Sequence, residues 1–296
     1  MGKNAVIPAM LLAFLGFTLW TVSDALIKFL GAYPPVQLAF LCGVYSLASQ
    51  IAFADRLGGL RATFAKPKLG LQIFRGLVIC VCGLLSFYVF AHLPFTVAYA
   101  IIFLTPFVSK FLAVLMNGEK VPRLCWALSV VAFTGVLIVI RPGMMPFTWP
   151  LVAALAIPAL FAYAYVLGRT IGEENQTMLS LNLFADCAMI AVFAVPTLLH
   201  FVPMGPMDFA TAVMIGVLGF TGTLCVSLAY VRAPTAYVAP VHYTQIIWGV
   251  IWGVLFFGEN PDVPTIIGAV MIIGSGLVLV VSGSRTGELE KDVLKI

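Results

Sequence analysis

The chain is a succession of apolar runs, each close to the length a helix needs to cross a bilayer, with nearly all of its charge gathered between them. Crossing the hydrocarbon takes about 20 apolar residues in helical form, because a helix satisfies its own backbone polar groups where no water can. The runs lie near 5–29, 35–54, 72–91, 95–116 and 124–141, and then near 149–170, 177–199, 211–231, 234–257 and 264–283. Only 9% of the residues are charged, against roughly a quarter in a soluble domain. A water-soluble fold is thereby excluded, and an all-α integral membrane protein of ten transmembrane helices is expected. The first run follows Lys3 and lacks the small-residue cleavage site of a signal peptide, so it is read as a retained helix.

Basic residues orient such a chain, since Lys and Arg accumulate on the cytoplasmic side. With the N-terminus inside, every Lys and Arg except Lys28, Lys110 and Arg141 falls on the cytoplasmic side. Both termini are therefore expected in the cytoplasm. The formal charge of +4 is spread over loops without a dense basic patch, which argues against nucleic acid as a partner. The six cysteines, Cys42, Cys80, Cys82, Cys125, Cys187 and Cys225, form no C-x-x-C pair, so neither a disulfide framework nor a metal site is expected. No Gly-Lys-Ser/Thr phosphate loop occurs, and no cofactor is expected.

The two groups of five runs are related. Pro94, Ala98 and Gly118-Glu119 superpose on Pro234, Val238 and Gly258-Glu259 at one offset of 140 residues. At the same offset Arg75-Gly76 meets Ile215-Gly216, and Gly135-Val136-Leu137 meets Ser275-Gly276-Leu277. Several matches at one offset indicate duplication. Five helices is an odd number, so the second copy enters the membrane from the opposite side. Two inverted five-helix repeats, 1–143 and 144–283, followed by a cytoplasmic tail at 284–296, are expected. Inverted repeats are the architecture of secondary transporters, whose site lies near the midplane between the halves.

On these residues the chain resembles the drug/metabolite transporter superfamily, in its ten-helix EamA-type branch. The resemblance is carried by Pro94 through Pro106 to Gly118-Glu119, by Pro234 through Pro240 to Gly258-Glu259, by Arg75, and by Gly135, and it extends from Gly16 to Gly283. It implies an inner-membrane carrier of amino acids, nucleotide-related metabolites, vitamins or drugs. It also implies a central cavity lined by the first, third, fourth, sixth, eighth and ninth helices. Ser23-Asp24 with Lys28, and Pro261-Asp262, are similar to a subgroup of S-adenosylmethionine carriers, whereas Lys110 stands where that subgroup has an apolar residue.

Charged groups inside a bilayer are costly and commonly functional. Asp24 and Lys28 share a face of the first helix with Trp20, and Lys28 is close enough to the helix end to snorkel. Lys110 lies on a stripe with Tyr99, Phe103 and Pro106, where it can hold a carboxylate or phosphate, pair with Asp24 or Asp186, or reach the headgroups. Asp186 has no basic residue nearby in sequence, which suits either a proton carrier or a hydrogen-bonded packing residue. Tyr237, Gln245 and Trp248 run down one side of the ninth helix with His242 beside them, and Pro240 frees a carbonyl early in that helix. Tyr88 and Tyr163 are candidates for stacking a ring. Asp24, Asp186 and His242 are the coupling candidates. Gly249 and Gly253 read as a helix-packing pair, and Glu119 and Glu259 as helix-end caps.

These residues suit a small zwitterionic or cationic solute with a flat ring, carried by alternating access with proton coupling or exchange. Two other classes compete. An intramembrane serine enzyme would pair Ser23, Ser86 or Ser227 with His242, but it lacks a Gly-x-Ser-x-Gly element. A channel or scaffold needs only the duplicated helices.

Overall fold

The computed structural model describes residues 6–117, 123–141, 148–233 and 238–293, and the regular elements among them are all helical. Seven of the ten expected runs contain helical spans long and apolar enough to cross a membrane, the fourth of them interrupted near Pro106, and the other three hold shorter apolar helical stretches at Trp126–Ile140, Val241–Phe257 and Val263–Val278. The chain is a multi-pass membrane protein.

The helices are α1 (Val6–Phe29), α2 (Pro35–Ala52), the short α3 (Leu60–Phe64), α4 (Leu69–His92), α5 (Phe95–Ile102), α6 (Thr105–Asn117) and α7 (Arg123–Ile140). They continue with α8 (Trp149–Ile171), α9 (Ser180–Leu199), α10 (Pro206–Arg232), α11 (Thr244–Phe257) and α12 (Val263–Val293). Prolines place several boundaries. Pro35 and Pro150 sit in the first turns of α2 and α8, where a missing N–H costs nothing. Pro106 has the opposite effect. Lacking a donor, it interrupts the fourth run, so α5 ends at Ile102 and α6 begins at Thr105, whose hydroxyl donates to the Ile102 carbonyl at 2.5 Å. In the ninth run, Pro240 lies in a 3-10 turn, Ala239–Tyr243, that precedes α11.

The chain forms two compact units, each drawing on both halves of the sequence. One comprises residues 19–93 and 148–224. Here α2 packs on α9, and α4 on both α8 and α9. Helices in lipid gain little from burying apolar surface, so close contact at small residues has to hold them together. Gly76 on α4 supplies such a contact: a Cβ there would lie 2.6 Å from the backbone carbon of Phe184 on α9. Gly216 on α10 does the same against α2, with the Cys42 carbonyl oxygen 2.8 Å and Tyr45 Cβ 2.9 Å from such an atom. Polar ties close the ends. The Tyr33 hydroxyl donates to Asp208 at 2.6 Å, and Gln37 exchanges two 2.9 Å bonds with the backbone of Val202.

The other unit comprises residues 1–18, 94–147 and 225–296. Its main pairs are α7 with α12 and α5 with α11. Gly135 and Gly268 face each other where α7 and α12 cross, with neither position leaving room for a Cβ. At the end of that pair Arg141 adopts a left-handed backbone conformation, φ 48°. Its guanidinium holds Asp262, which also accepts from the Thr265 N–H at 3.2 Å and hydroxyl at 2.6 Å.

Those bonds, the one from Arg141 foremost, keep the Asp262 carboxyl well below the usual carboxylate range. A group with a depressed pKa contributes stability that is complete above its unfolded value of about 3.9 and is lost as pH falls through the folded value. The melting-temperature gap between the wild type and Asp262→Asn is therefore expected to stay constant from neutral pH to about pH 5 and to close below that. A gap that already narrows near neutral pH would show that the carboxylate is not held this way.

Candidate functional site

The break at Pro106 and the 3-10 turn at Pro240 bring together a group of rings in the unit of residues 1–18, 94–147 and 225–296. The His242 imidazole lies between Phe17 and Phe103, with centroid distances of 4.7 Å and 4.8 Å. Phe103 also stacks on Tyr243 at 5.2 Å and 25°. Gln245 is buried beside His242. Tyr99 fills the space that Gly249 leaves, where a Cβ would stand 2.5 Å from its ring. The second glycine of that pair, Gly253, packs in the same way under the Glu259 carboxylate. Both glycines thus serve packing, as their spacing suggests. Trp248 lies further along α11, 6.1 Å from Phe14 and stacked at 5.2 Å on Trp252.

Four of the predicted residues, Tyr99, Phe103, His242 and Gln245, therefore form one neighbourhood of ring faces around an imidazole and an amide. Phe17 and Tyr243 complete it, although sequence reasoning had not singled them out. Phe17, Tyr99, Phe103, Tyr243 and Gln245 are all buried, so these rings pack mainly on one another.

Glu259 caps a helix end, and the helix it caps belongs to the other half of the sequence. Its Oε2 accepts the N–H of Phe95, the first residue of α5, at 2.8 Å. A carboxylate is well placed at a helix N-terminus, where free N–H groups and the helix dipole favour negative charge.

The remaining described candidates lie in the unit of residues 19–93 and 148–224. The Trp20 indole N–H lies 3.1 Å from the Gly219 carbonyl and 3.2 Å from the Thr223 hydroxyl of α10. Asp24 is half-buried. Lys28 donates to the Leu93 carbonyl at 2.9 Å. Tyr88 rests on His92 at 4.5 Å, and Tyr163 meets Phe74 edge-on at 6.3 Å.

Asp186 is buried on α9, and its Oδ2 accepts from the Ser46 hydroxyl and the Gln50 amide, both on α2. The Gln50 carbonyl oxygen is itself buried without a partner. Ser46 and Gln50 were not predicted, although Ser46 is separated from Asp186 by the repeat offset of 140 residues. Of the serines considered as nucleophiles, Ser23 and Ser86 donate to the carbonyls of Ile215 and Cys82. The Lys110 side chain and Tyr237 lie outside the described residues.

Residues 148–281 match the EamA-like transporter family. Full-length likeness extends across the first half as well. The pseudopaline exporter of Pseudomonas aeruginosa is 24% identical over 91% of this chain and 94% of its own length. The S-adenosylmethionine uptake transporter of Rickettsia bellii is 26% identical over 90% of each. The riboflavin transporter of Rhizobium johnstonii is 26% identical over 94% of this chain and 92% of its own. The chain is thus similar to transporters of the EamA-type drug/metabolite transporter branch, by family model in its second half and by relatives over nearly its whole length. A protein of known crystal structure shares the fold, with a TM-score of 0.66 at 18% identity over 94% of this chain and 98% of that one.

Proposed function

We propose that the chain is a secondary carrier that moves a small organic metabolite across the inner membrane by alternating access. It has ten crossings arranged as two inverted repeats, 1–143 and 144–283, with the N-terminus and the 284–296 tail in the cytoplasm. Relatives named as an exporter and as an uptake transporter span nearly the whole chain, which supports transport in either direction on this scaffold.

The observation that carries this reading is a meeting of repeat-related residues. In an object with two-fold symmetry, only residues at the axis touch their own counterparts. Ser46 and Asp186 are 140 residues apart and share a hydrogen bond. Phe103 and Tyr243, at the same offset in the sequence, stack face to face. Gly76 and Gly216, again at that offset, each admit a helix of the other half. Contacts of this kind support two halves that are equivalent in packing, the property that lets a carrier exchange one half's conformation for the other's.

The substrate class follows from the residues. Stacking on Tyr99, Phe103 and Trp248, with Tyr88 and Tyr163 as further ring faces, suits a solute with a flat ring. Asp24, His242 and Gln245 offer polar partners for a cationic or zwitterionic group, Trp20 adds an indole ring face, and Lys110 and Tyr237 extend the set from the fourth and ninth runs. S-adenosylmethionine combines a cation, an amino acid group and an adenine ring, which fits this set best, and riboflavin shares the flat ring. Asp24, Asp186 and His242 are the residues through which protons would be coupled. The test is counterflow in proteoliposomes with S-adenosylmethionine, riboflavin and amino acids, run on the wild type and on Asp24→Asn. Saturable exchange of one of these solutes, reduced at least tenfold by Asp24→Asn, is expected. Exchange unaffected by that change would remove Asp24 from the site.

A further inference from the structure

The connection between α2 and α4 is longer than a turn requires, and it is built rather than loose. Residues 54–57 form a 3-10 turn and Leu60–Phe64 form α3. Ala54 and Leu57 sink into an apolar cluster with Leu179, Leu183, Phe184 and Phe220. The Leu57 carbonyl accepts the Leu179 N–H at 3.0 Å, and the Thr63 and Thr177 hydroxyls are hydrogen-bonded at 2.7 Å. Gly58, at φ 110°, makes the sharp turn between the two short elements, and Thr177 Cβ closes over it, 3.0 Å from where a side chain would begin.

This pinned platform turns a different set of side chains outward. Phe53, Leu60 and Phe64 are 46%, 39% and 51% exposed, large apolar groups on a segment too short and too polar to span a bilayer, with the Phe64 ring also meeting Phe184 edge-on at 5.9 Å. Beside them Arg56 and Arg61 are exposed and make no side-chain bond among the described residues. The lysines that follow are already committed, Lys66 to the Glu174 carbonyl and Lys68 to the Thr170 carbonyl, each at 2.6 Å. The exposed Asp55 is the single acid of the segment 53–68. Two uncommitted guanidiniums beside three exposed apolar side chains, on a rigid backbone at the end of membrane helices, match an interface with apolar chains below and anionic phosphates above.

We propose that residues 53–64 form an anchoring site for an anionic phospholipid, in which Arg56 and Arg61 hold the headgroup phosphate and Phe53, Leu60 and Phe64 lie along the acyl chains. Arginine suits this role because its planar fork matches phosphate oxygens in pairs. The site is separate from the transport residues and stands whether or not the carrier reading holds.

The experiment is a thermal melt of the purified full-length protein in detergent, with phosphatidylglycerol, phosphatidylcholine or inorganic phosphate added. Phosphatidylglycerol is expected to raise the melting temperature of the wild type above the value in phosphatidylcholine. The double variant Arg56→Gln/Arg61→Gln should lose at least half of that difference while melting like the wild type in phosphatidylcholine, and Arg56→Lys/Arg61→Lys should retain most of it. Leu60→Ser should weaken the response to both lipids. Equal melting of the wild type in the two lipids, or a phosphatidylglycerol effect untouched by the double glutamine change, would overturn the proposal. So would a shift reproduced by inorganic phosphate alone, which would assign the arginines to a soluble anion.

Discussion

Leucine at Gly135 or Gly268 is expected to leave little folded protein. A Cβ at Gly268 would lie 2.5 Å from the Gly135 carbonyl oxygen and 2.6 Å from Val139 Cγ2. A Cβ at Gly135 would lie 2.8 Å from the Gly268 carbonyl oxygen. The obstructing oxygens are backbone, so no rotamer change relieves them, and α7 and α12 must separate. Over-packing a well-fitted core costs about 1–3 kcal/mol, sometimes more. Between membrane helices there is little hydrophobic gain to offset that cost, because lipid is as apolar as the partner. Even alanine at Gly268 is expected to lower the melting temperature in detergent, and leucine to abolish the monodisperse peak in size exclusion. Gly274, with nothing within 4 Å of its added Cβ, is the control. Alanine there is expected to be neutral or slightly stabilising, as it is in an exposed helix. Equal behaviour of Gly268→Ala and Gly274→Ala would contradict the close crossing.

Asp186→Asn is expected to separate proton coupling from substrate exchange. The carboxylate is buried in the membrane region between α2 and α9, and both of its described partners, Ser46 and Gln50, are neutral. Around it stand the thiols of Cys42 on α2, Cys80 on α4 and Cys187 on its own helix, which lie close enough to interact with it. On α4, Arg75 directs its Nε to the Ala164 carbonyl of α8 at 3.2 Å. An ion in the bilayer with only neutral partners is costly, and a proton bound in one state and released in the other uses that cost. Asparagine keeps the shape and accepts the same donors, so the protein should fold and exchange substrate, while accumulation driven by a pH gradient falls at least tenfold. Leucine should behave differently, orphaning the Ser46 and Gln50 donors at a cost of about 1–3 kcal/mol. Gradient-driven accumulation that survives in Asp186→Asn would assign the residue to packing.

Much of the fold was legible because a bilayer imposes crude rules. Helix length, the scarcity of charge and the punctuation by proline are visible in any chain that must satisfy its backbone without water. The runs matched helices closely, with informative exceptions. The fourth run was read as one helix, yet Pro106 divides it into α5 and α6. The eighth was placed from 211, although α10 begins at Pro206, with Asp208 in its first turn supplying the expected start signals. α12 continues to Val293, through much of the charged stretch read as a tail.

The candidate site was less legible, for a physical reason. Which face of a lipid-surrounded helix meets its neighbours cannot be read from amphipathicity when every face is apolar. The repeat offset carried more information than was drawn from it. Counting 140 residues from Asp186 reaches Ser46, and from Phe103 reaches Tyr243, so the offset read from the sequence points to both partners that hydropathy left unmarked. Gln50 and Phe17 had no such signal.

Counterflow in proteoliposomes tests the central claim most directly. Vesicles loaded with unlabelled S-adenosylmethionine, riboflavin or an amino acid are diluted into a trace of the same labelled solute, and its entry is followed over time. For one of these solutes the account predicts a transient overshoot that saturates with concentration and requires the unlabelled solute inside, because a carrier returns faster when loaded. Flux that rises linearly with concentration and ignores the inner solute would contradict it and make the protein a channel.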